Sequence, residues 1–217
     1  MFRVCQSQVD FCVRGLGSAV FLIVSLLMGG TSLASGIKAY GVLTYNVTIS
    51  TNEVVILKCS KSASGHVEIP SKIDDADVIA IAWYAFQDCN QVTSVTIPEG
   101  VIAIGEQCFS NCSALTSVSI PSSMERIRQL AFENCASLTD ITLPAGLLLL
   151  EQSAFRNCPS LEKASFLGDT PGTLGDGIFD GAAPAFAVYH FDGAAGFASS
   201  TWQGHPIHPT SNCRLSP

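Results

Sequence analysis

Gly105-Glu-Gln-Cys-Phe-Ser-Asn-Cys-Ser-Ala-Leu-Thr-Ser-Val-Ser-Ile-Pro121 is one unit of a repeat that runs from Ala85 to Leu161. Phe86, Phe109, Phe132 and Phe155 recur at one constant interval, and so do Cys89, Cys112, Cys135 and Cys158. Val92, Leu115, Leu138 and Leu161 keep the same spacing, as do Val95, Val118, Ile141 and Ala164. Ile97, Ile120, Leu143 and Phe166 complete the register, with Pro98, Pro121 and Pro144 beside the first three. A fixed 23-residue period marks a solenoid. Within the unit, Cys108, Phe109 and Cys112 are spaced like one side of a short helical turn. Val118 and Ile120 alternate with Ser117 and Ser119, which is the pattern of a strand with one apolar face. Pro121 removes a ladder donor and ends that strand. A further apolar turn, such as Val101 and Ile104, brings the chain back. Each unit is therefore expected to be a strand, a turn and a short helix, unable to bury its apolar face alone and stable only when stacked.

The recurring Cys reads as core rather than as chemistry. Identical positions in successive coils stack in a column beside a Phe, and free Cys packs as a small hydrophobe. No CxxC occurs, and no His lies near Cys108 and Cys112 in sequence. Asp88, Asn111, Asn134 and Asn157 precede the four Cys, and such side chains satisfy backbone groups in turns.

The pattern of Ile104-Gly105, Cys108-Phe109, Asn111-Cys112, Leu115-Thr116, Val118 and Ile120-Pro121 resembles the BspA-type (Treponema pallidum-type) leucine-rich-repeat family. Ala131-Phe132, Asn134-Cys135, Leu138-Thr139, Ile141 and Leu143-Pro144 repeat it, as do Ala154-Phe155 and Asn157-Cys158. The resemblance covers roughly residues 40–208. It implies an exported bacterial, or occasionally protist, surface protein that binds other macromolecules and carries no enzyme activity.

Composition bounds the function. The chain has 217 residues, 47% of them hydrophobic and 13% charged, with a net charge of −7. That acidity and the lack of a basic stripe argue against nucleic acid or an anionic membrane surface as partner. Arg3 and Arg14, the apolar run Leu16 to Met28, and small residues Ser32 and Ala34 form a secretory signal pattern with cleavage expected after Ala34, an uncleaved signal-anchor being the alternative. The run is shorter than the ~20 residues of a spanning helix, and no later segment could cross a membrane. Seven cysteines then remain: the column, Cys59, Cys108 and Cys213. An odd number is not a disulfide framework.

In order, the expected parts are a signal peptide at 1–34 and an N-terminal β cap at 35–66. Leucine-rich repeats at 67–168, a C-terminal cap at 169–208 and a tail at 209–217 follow. Val42 to Ile49 and Glu53 to Leu57 alternate around Ser50-Thr51-Asn52 and read as a capping hairpin. Asp74, Asp75 and Asp77 sit in a link longer than its counterparts; without a D-x-D-x-D-G pattern or a closing Glu, they read as a solvated turn rather than a Ca²⁺ site. The run Leu147 to Leu150 must put a Leu outside, and with Arg126 and Arg128 it suggests a modestly apolar edge. Ile178-Phe179 echoes the repeat, Ala187 to Phe191 is a last strand, and Phe197 and Trp202 seal the far end. His205 and His208 are separated by Pro206 and read as part of a frayed tail, not a metal pair.

No nucleophile–base set, phosphate loop or H-E-x-x-H motif occurs, and no cofactor is implied. The fold expected is an α/β, right-handed leucine-rich-repeat solenoid of four to five 23-residue coils with both ends capped. The function expected is an exported, adhesin-like binding module, secreted, periplasmic or on the bacterial cell surface. It would recognise a protein or glycan on a cell or matrix surface through Ser94, Thr96, Ser117, Ser119, Asp140 and Thr142. These are the outward positions of successive strands, continued by Lys163 and Ser165. Tolerated surface hydroxyls are the plain alternative for these positions, and a self-associating envelope protein is the alternative function.

Overall fold

The computed structural model describes residues 37–48 and 51–210. The leader, residues 49–50 of the hairpin turn, Cys213 and the tail beyond 210 lie outside the described residues. The described chain is a β-solenoid stacked along one axis. Its long strands are β4 (Gly65–Glu68), β7 (Val92–Thr96), β9 (Ser117–Ser119), β11 (Asp140–Leu143), β13 (Lys163–Phe166), β15 (Ala187–Phe191) and β17 (His205–Thr210). They number seven rather than four to five, because both caps contribute turns of their own.

The return segments form a second parallel ladder. β3 (Glu53–Cys59) pairs β6 (Ala76–Ile81), followed by β8 (Ala103–Ile104), β10 (Arg126–Ile127), β12 (Leu149–Leu150) and β14 (Thr173–Leu174). The sequence shows this ladder only as an apolar turn, since so short a strand cannot alternate.

The N-terminal cap is a meander. β1 (Lys38–Tyr40) and β2 (Leu43–Thr48) pair antiparallel, and β2 pairs β3. β5 (Lys72–Ile73) turns back onto β6, so Asp74 and Asp75 are the corner of a tight hairpin. Both have positive φ, 51° and 62°. Asp74 accepts hydrogen bonds from Lys38 Nζ and Tyr45 Oη, each at 2.8 Å, and Lys72 pairs with Asp77 at 2.7 Å. The three carboxylates are thus turn and ion-pair groups, and no metal-binding cluster occurs among the described residues.

The expected helix is absent among the described residues, and the reason is local. Each of the four coils from Tyr84 to Asn157 carries two left-handed residues. Tyr84, Gln107, Leu130 and Ser153 form one column, with φ between 50° and 59°, and Asp88, Asn111, Asn134 and Asn157 the other, with φ between 56° and 62°. A left-handed residue costs roughly 1–2 kcal/mol outside glycine and stops a right-handed helix. The N–H groups turn instead toward the next coil: Phe86 donates to the Cys108 carbonyl at 2.8 Å, Phe109 to Ala131 at 2.7 Å and Asn111 to Glu133 at 2.8 Å. The backbone is satisfied between coils, not within a helix.

The core follows the columns. Phe86, Phe109, Phe132, Phe155 and Phe179 stack with centroids 4.8, 5.0, 4.9 and 5.5 Å apart. The spacing is close to the distance between strands in a ladder. At the far end Phe166 meets Phe197 and Trp202, both buried. β17 corrects the expectation of a frayed tail: His205–Thr210 pairs parallel with β15 and antiparallel with β16 (Thr201–Trp202). Pro206 and Pro209 suit its extended backbone and each withhold only one donor.

Candidate functional site

The long-strand face is the surface the repeats build most directly. Apolar residues Val95, Val118, Ile141 and Ala164 point into the core, so their neighbours must point out. Ser94 aligns with Ser117 and Thr96 with Ser119 across β7 and β9. Asp140 aligns with Lys163 and Thr142 with Ser165 across β11 and β13. Ser117, Ser119, Asp140 and Thr142 are exposed, whereas Ser94 and Thr96 are half-buried.

The six residues do not form one uninterrupted ladder. β4, β7 and β9 are a three-stranded sheet, while β11, β13, β15, β17 and β16 form a five-stranded one. Asp140 and Thr142 therefore belong to a different sheet from the four N-terminal hydroxyls.

Each half has partners that a strict 23-residue count misses. β4 begins at Gly65, which aligns His66 with Ser94 and Glu68 with Thr96. His66 Nδ1 lies 2.9 Å from Ser94 Oγ, and its Nε2 is 3.5 Å from Thr96 Oγ1. In the other half Ser165 aligns with Tyr189, and Tyr189 with His208. Lys163 Nζ stands 4.9 Å from the centre of the Tyr189 ring. His66 extends the Ser94–Ser117 column backward and Tyr189 extends the neighbouring Thr142–Ser165 column forward, each at an offset longer than one repeat. Allowing for the extra length where the caps join the repeats would have found both.

The remaining histidines pack as aromatics. His190 is buried and stacked on Phe197 at 4.6 Å, with Nδ1 2.8 Å from the Phe191 carbonyl oxygen. His205 meets the Phe186 ring edge-on at 4.9 Å, and burial lowers its pKa.

The turn side is closed by internal bonding. Asn111 Nδ2 donates to Asp88 at 2.9 Å, Asn134 to Asn111 at 2.8 Å and Asn157 to Asn134 at 3.2 Å. Gly181 follows at the next position with φ 77°, and a Cβ there would lie 2.8 Å from the Asn157 amide oxygen. The thiols of Cys112, Cys135 and Cys158 donate to the carbonyls of Phe86, Phe109 and Phe132 at 3.1–3.2 Å. Burial raises the Cys112 and Cys158 pKa values to about 12 and moves Cys135 in the same direction. These thiols stay protonated donors and offer no nucleophile.

On the return face, Leu147 and Leu150 are buried and Leu148 is 56% exposed. Arg126 pairs with Glu125 and Arg128 with Glu151. No helix among the described residues is long and apolar enough to cross a membrane.

The profile of the BspA type Leucine rich repeat region matches residues 60–183 in six copies. A Treponema pallidum leucine-rich-repeat protein of known crystal structure is 23% identical, with a TM-score of 0.51 over 67% of this chain and 89% of that one. A leucine-rich-repeat protein from Bacteroides capillosus is 26% identical, with a TM-score of 0.55 over 62% of this chain and 100% of that one. The pneumococcal vaccine antigen PcpA shares the fold at 15% identity and a TM-score of 0.56, over 77% of this chain and 46% of that one. No curated protein matches the chain.

Proposed function

The chain belongs to the BspA-type leucine-rich-repeat family, and from that premise we propose that it is an exported, non-enzymatic, adhesin-like module. Leucine-rich-repeat proteins are generally interaction scaffolds. This chain would act as one outside the bacterial cell, secreted, periplasmic or at the surface, on a protein or glycan of a cell or matrix. The observation that carries the reading is the long-strand face. It presents Ser117, Ser119, Asp140 and Thr142 exposed on coils whose turn side is locked by three stacked columns. Rigid, in-register hydroxyls and one carboxylate lose little entropy on binding. Ser94 and Thr96 complete the N-terminal half through His66.

The test uses immobilised matrix proteins and a glycan array with the wild type and a Ser117→Arg, Ser119→Arg, Thr142→Arg variant. Binding that the variant loses supports the strand face. Binding that the variant retains moves the site to a cap or the return face. No binding by either favours the second reading, self-association in the envelope. That reading draws on Leu148 and Leu174, both exposed on the return face. Light scattering at two concentrations separates the readings, since only self-association makes mass grow with concentration.

A further inference from the structure

Hydrogen bonding places Cys59 in the phenylalanine column rather than the cysteine column. The N–H of each column Phe donates to a carbonyl one coil on: Phe86 to Cys108 at 2.8 Å, Phe109 to Ala131 at 2.7 Å, Phe132 to Ala154 at 2.7 Å. The N–H of Cys59 makes the same bond to Ala85, at 2.6 Å. Cys59 thus holds the Phe position of the cap's last turn, at the end of β3.

That position faces the cysteine of the next coil. Cys112 reaches back to the Phe86 carbonyl, Cys135 to Phe109 and Cys158 to Phe132, at 3.1–3.2 Å. By the same offset, Cys89 reaches back to the turn that holds Cys59. Here the short thiol–carbonyl bond is missing: Cys59 Sγ and Cys89 Sγ both point at the Ser60 carbonyl oxygen, at 3.7 and 3.8 Å. The two thiols thus converge on one carbonyl oxygen, where Cys112, Cys135 and Cys158 each have their own. Both residues are fully buried.

We propose that Cys59 and Cys89 are a disulfide-forming pair that staples the N-terminal β cap to the first coil. A disulfide needs Cβ atoms about 4 Å apart, and two buried thiols that converge on one carbonyl oxygen are neighbours in the core. The neighbouring Cys59 thiol, with the Lys61 charge, lowers the Cys89 pKa, which favours Cys89 over Cys59 as the attacking thiolate. Before the cap docks on the first coil, while Cys89 is still open to solvent, its thiolate attacks one sulfur of a small disulfide such as oxidised glutathione and expels a glutathione thiolate. Cys59, deprotonated in turn, attacks the mixed disulfide at Cys89 Sγ and expels the second. The protein loses two electrons and two protons, and one glutathione disulfide becomes two glutathiones. The other column thiols do not compete, because each is held by a Phe carbonyl. Export would put the pair where disulfides persist, but the geometry does not depend on the strand-face reading.

The test unfolds and reduces the full chain, refolds it in a glutathione redox buffer, alkylates free thiols and maps the peptides by mass spectrometry. Trypsin leaves Cys59 in the peptide Cys59-Ser60-Lys61, and fragmentation of its cross-linked partner distinguishes Cys89 from Cys108 and Cys112. The expected result is a Cys59–Cys89 link in most molecules, with a Tm about 10 °C above that of the reduced chain. Cys89→Ala should abolish both the link and the difference between oxidised and reduced Tm. Cys59 and Cys89 both found alkylated in the refolded wild type, or Cys59 linked elsewhere, overturns the pairing whether or not the variant folds. A link without a Tm difference overturns the staple.

Discussion

The turn side and the long-strand face are built from the same coils yet obey different rules. On the turn side every position in the column is repeated because each residue's neighbour is its own copy. Phe109 stacks on Phe132 at 5.0 Å, Asn134 bonds Asn111 at 2.8 Å, and Cys135 bonds the Phe109 carbonyl at 3.2 Å. On the strand face the outward residues meet water, and His66, Ser94, Ser117, Asp140 and Lys163 follow one another with no common chemistry. The face is even split between two sheets after β9. Stability resides where the repeat is strict, and recognition is free to sit where it is loose.

Breaking the strict side should have the largest effect. Phe132 is fully buried and stacked on both neighbours, at 5.0 and 4.9 Å. Phe132→Ala is expected to cost about 3–5 kcal/mol, from lost transfer energy and the cavity left behind. Urea denaturation measures it, and a loss below about 1 kcal/mol would show that the column is not the core.

Asn134 separates side-chain bonding from backbone conformation. Its φ is 59°, and its amide bonds both Asn111 and Asn157. Asn134→Ala loses the bonds and pays the left-handed strain, about 2–3 kcal/mol together. Asn134→Gly keeps the conformation and should be less destabilising than Ala by about 1 kcal/mol. Equal losses for Ala and Gly in the same denaturation series would remove conformation from the account.

The pH dependence sharpens the comparison at a coil edge. Glu99 accepts bonds from the Ser122 N–H at 2.9 Å, the Ser122 hydroxyl at 3.0 Å and the Ser123 N–H at 3.2 Å. The Ser122 backbone bond chiefly, with those of the Ser122 hydroxyl and Ser123, holds the carboxyl below its usual value of 4.5. A depressed folded-state pKa gives stability that is present above the usual value and lost as pH falls through the lower folded value. Tm should therefore drop below about pH 4.5, and Glu99→Gln should flatten that acid limb. An unchanged limb would mean that Glu99 gains nothing from these bonds.

The smallest stability effect is expected on the loose side. Ser117 and Ser119 are exposed, so Ser117→Arg with Ser119→Arg should shift stability by no more than about 0.5 kcal/mol per site. A loss comparable to that of Asn134→Ala would mean that the two sides are not distinct after all.

Much of this was legible in the sequence. Four in-register Phe–Cys pairs announce a stack, and alternation at Val118 and Ile120 announces a strand, because each pattern reports what one residue buries. The Phe197–Trp202 seal and the exposed Leu within Leu147 to Leu150 were legible for the same reason. The helix was misread at Cys108, Phe109 and Cys112, since a spacing of three to four also fits a turn with left-handed residues at Gln107 and Asn111. His66 and Tyr189 were missed as face residues because the caps join the repeats at offsets longer than the repeat itself.

What the sequence determined by itself is the period, and with it the stacked core, because a residue that must pack on its own copy has to recur. What only the tertiary structure decided is where the irregular residues fall. Cys59 stands outside any 23-residue count from Phe86, and only its N–H bond to Ala85 shows it in the aromatic position against Cys89. A backbone hydrogen bond between coils depends on where two chain segments meet in space, and the number of residues looped out between them leaves no mark on that meeting.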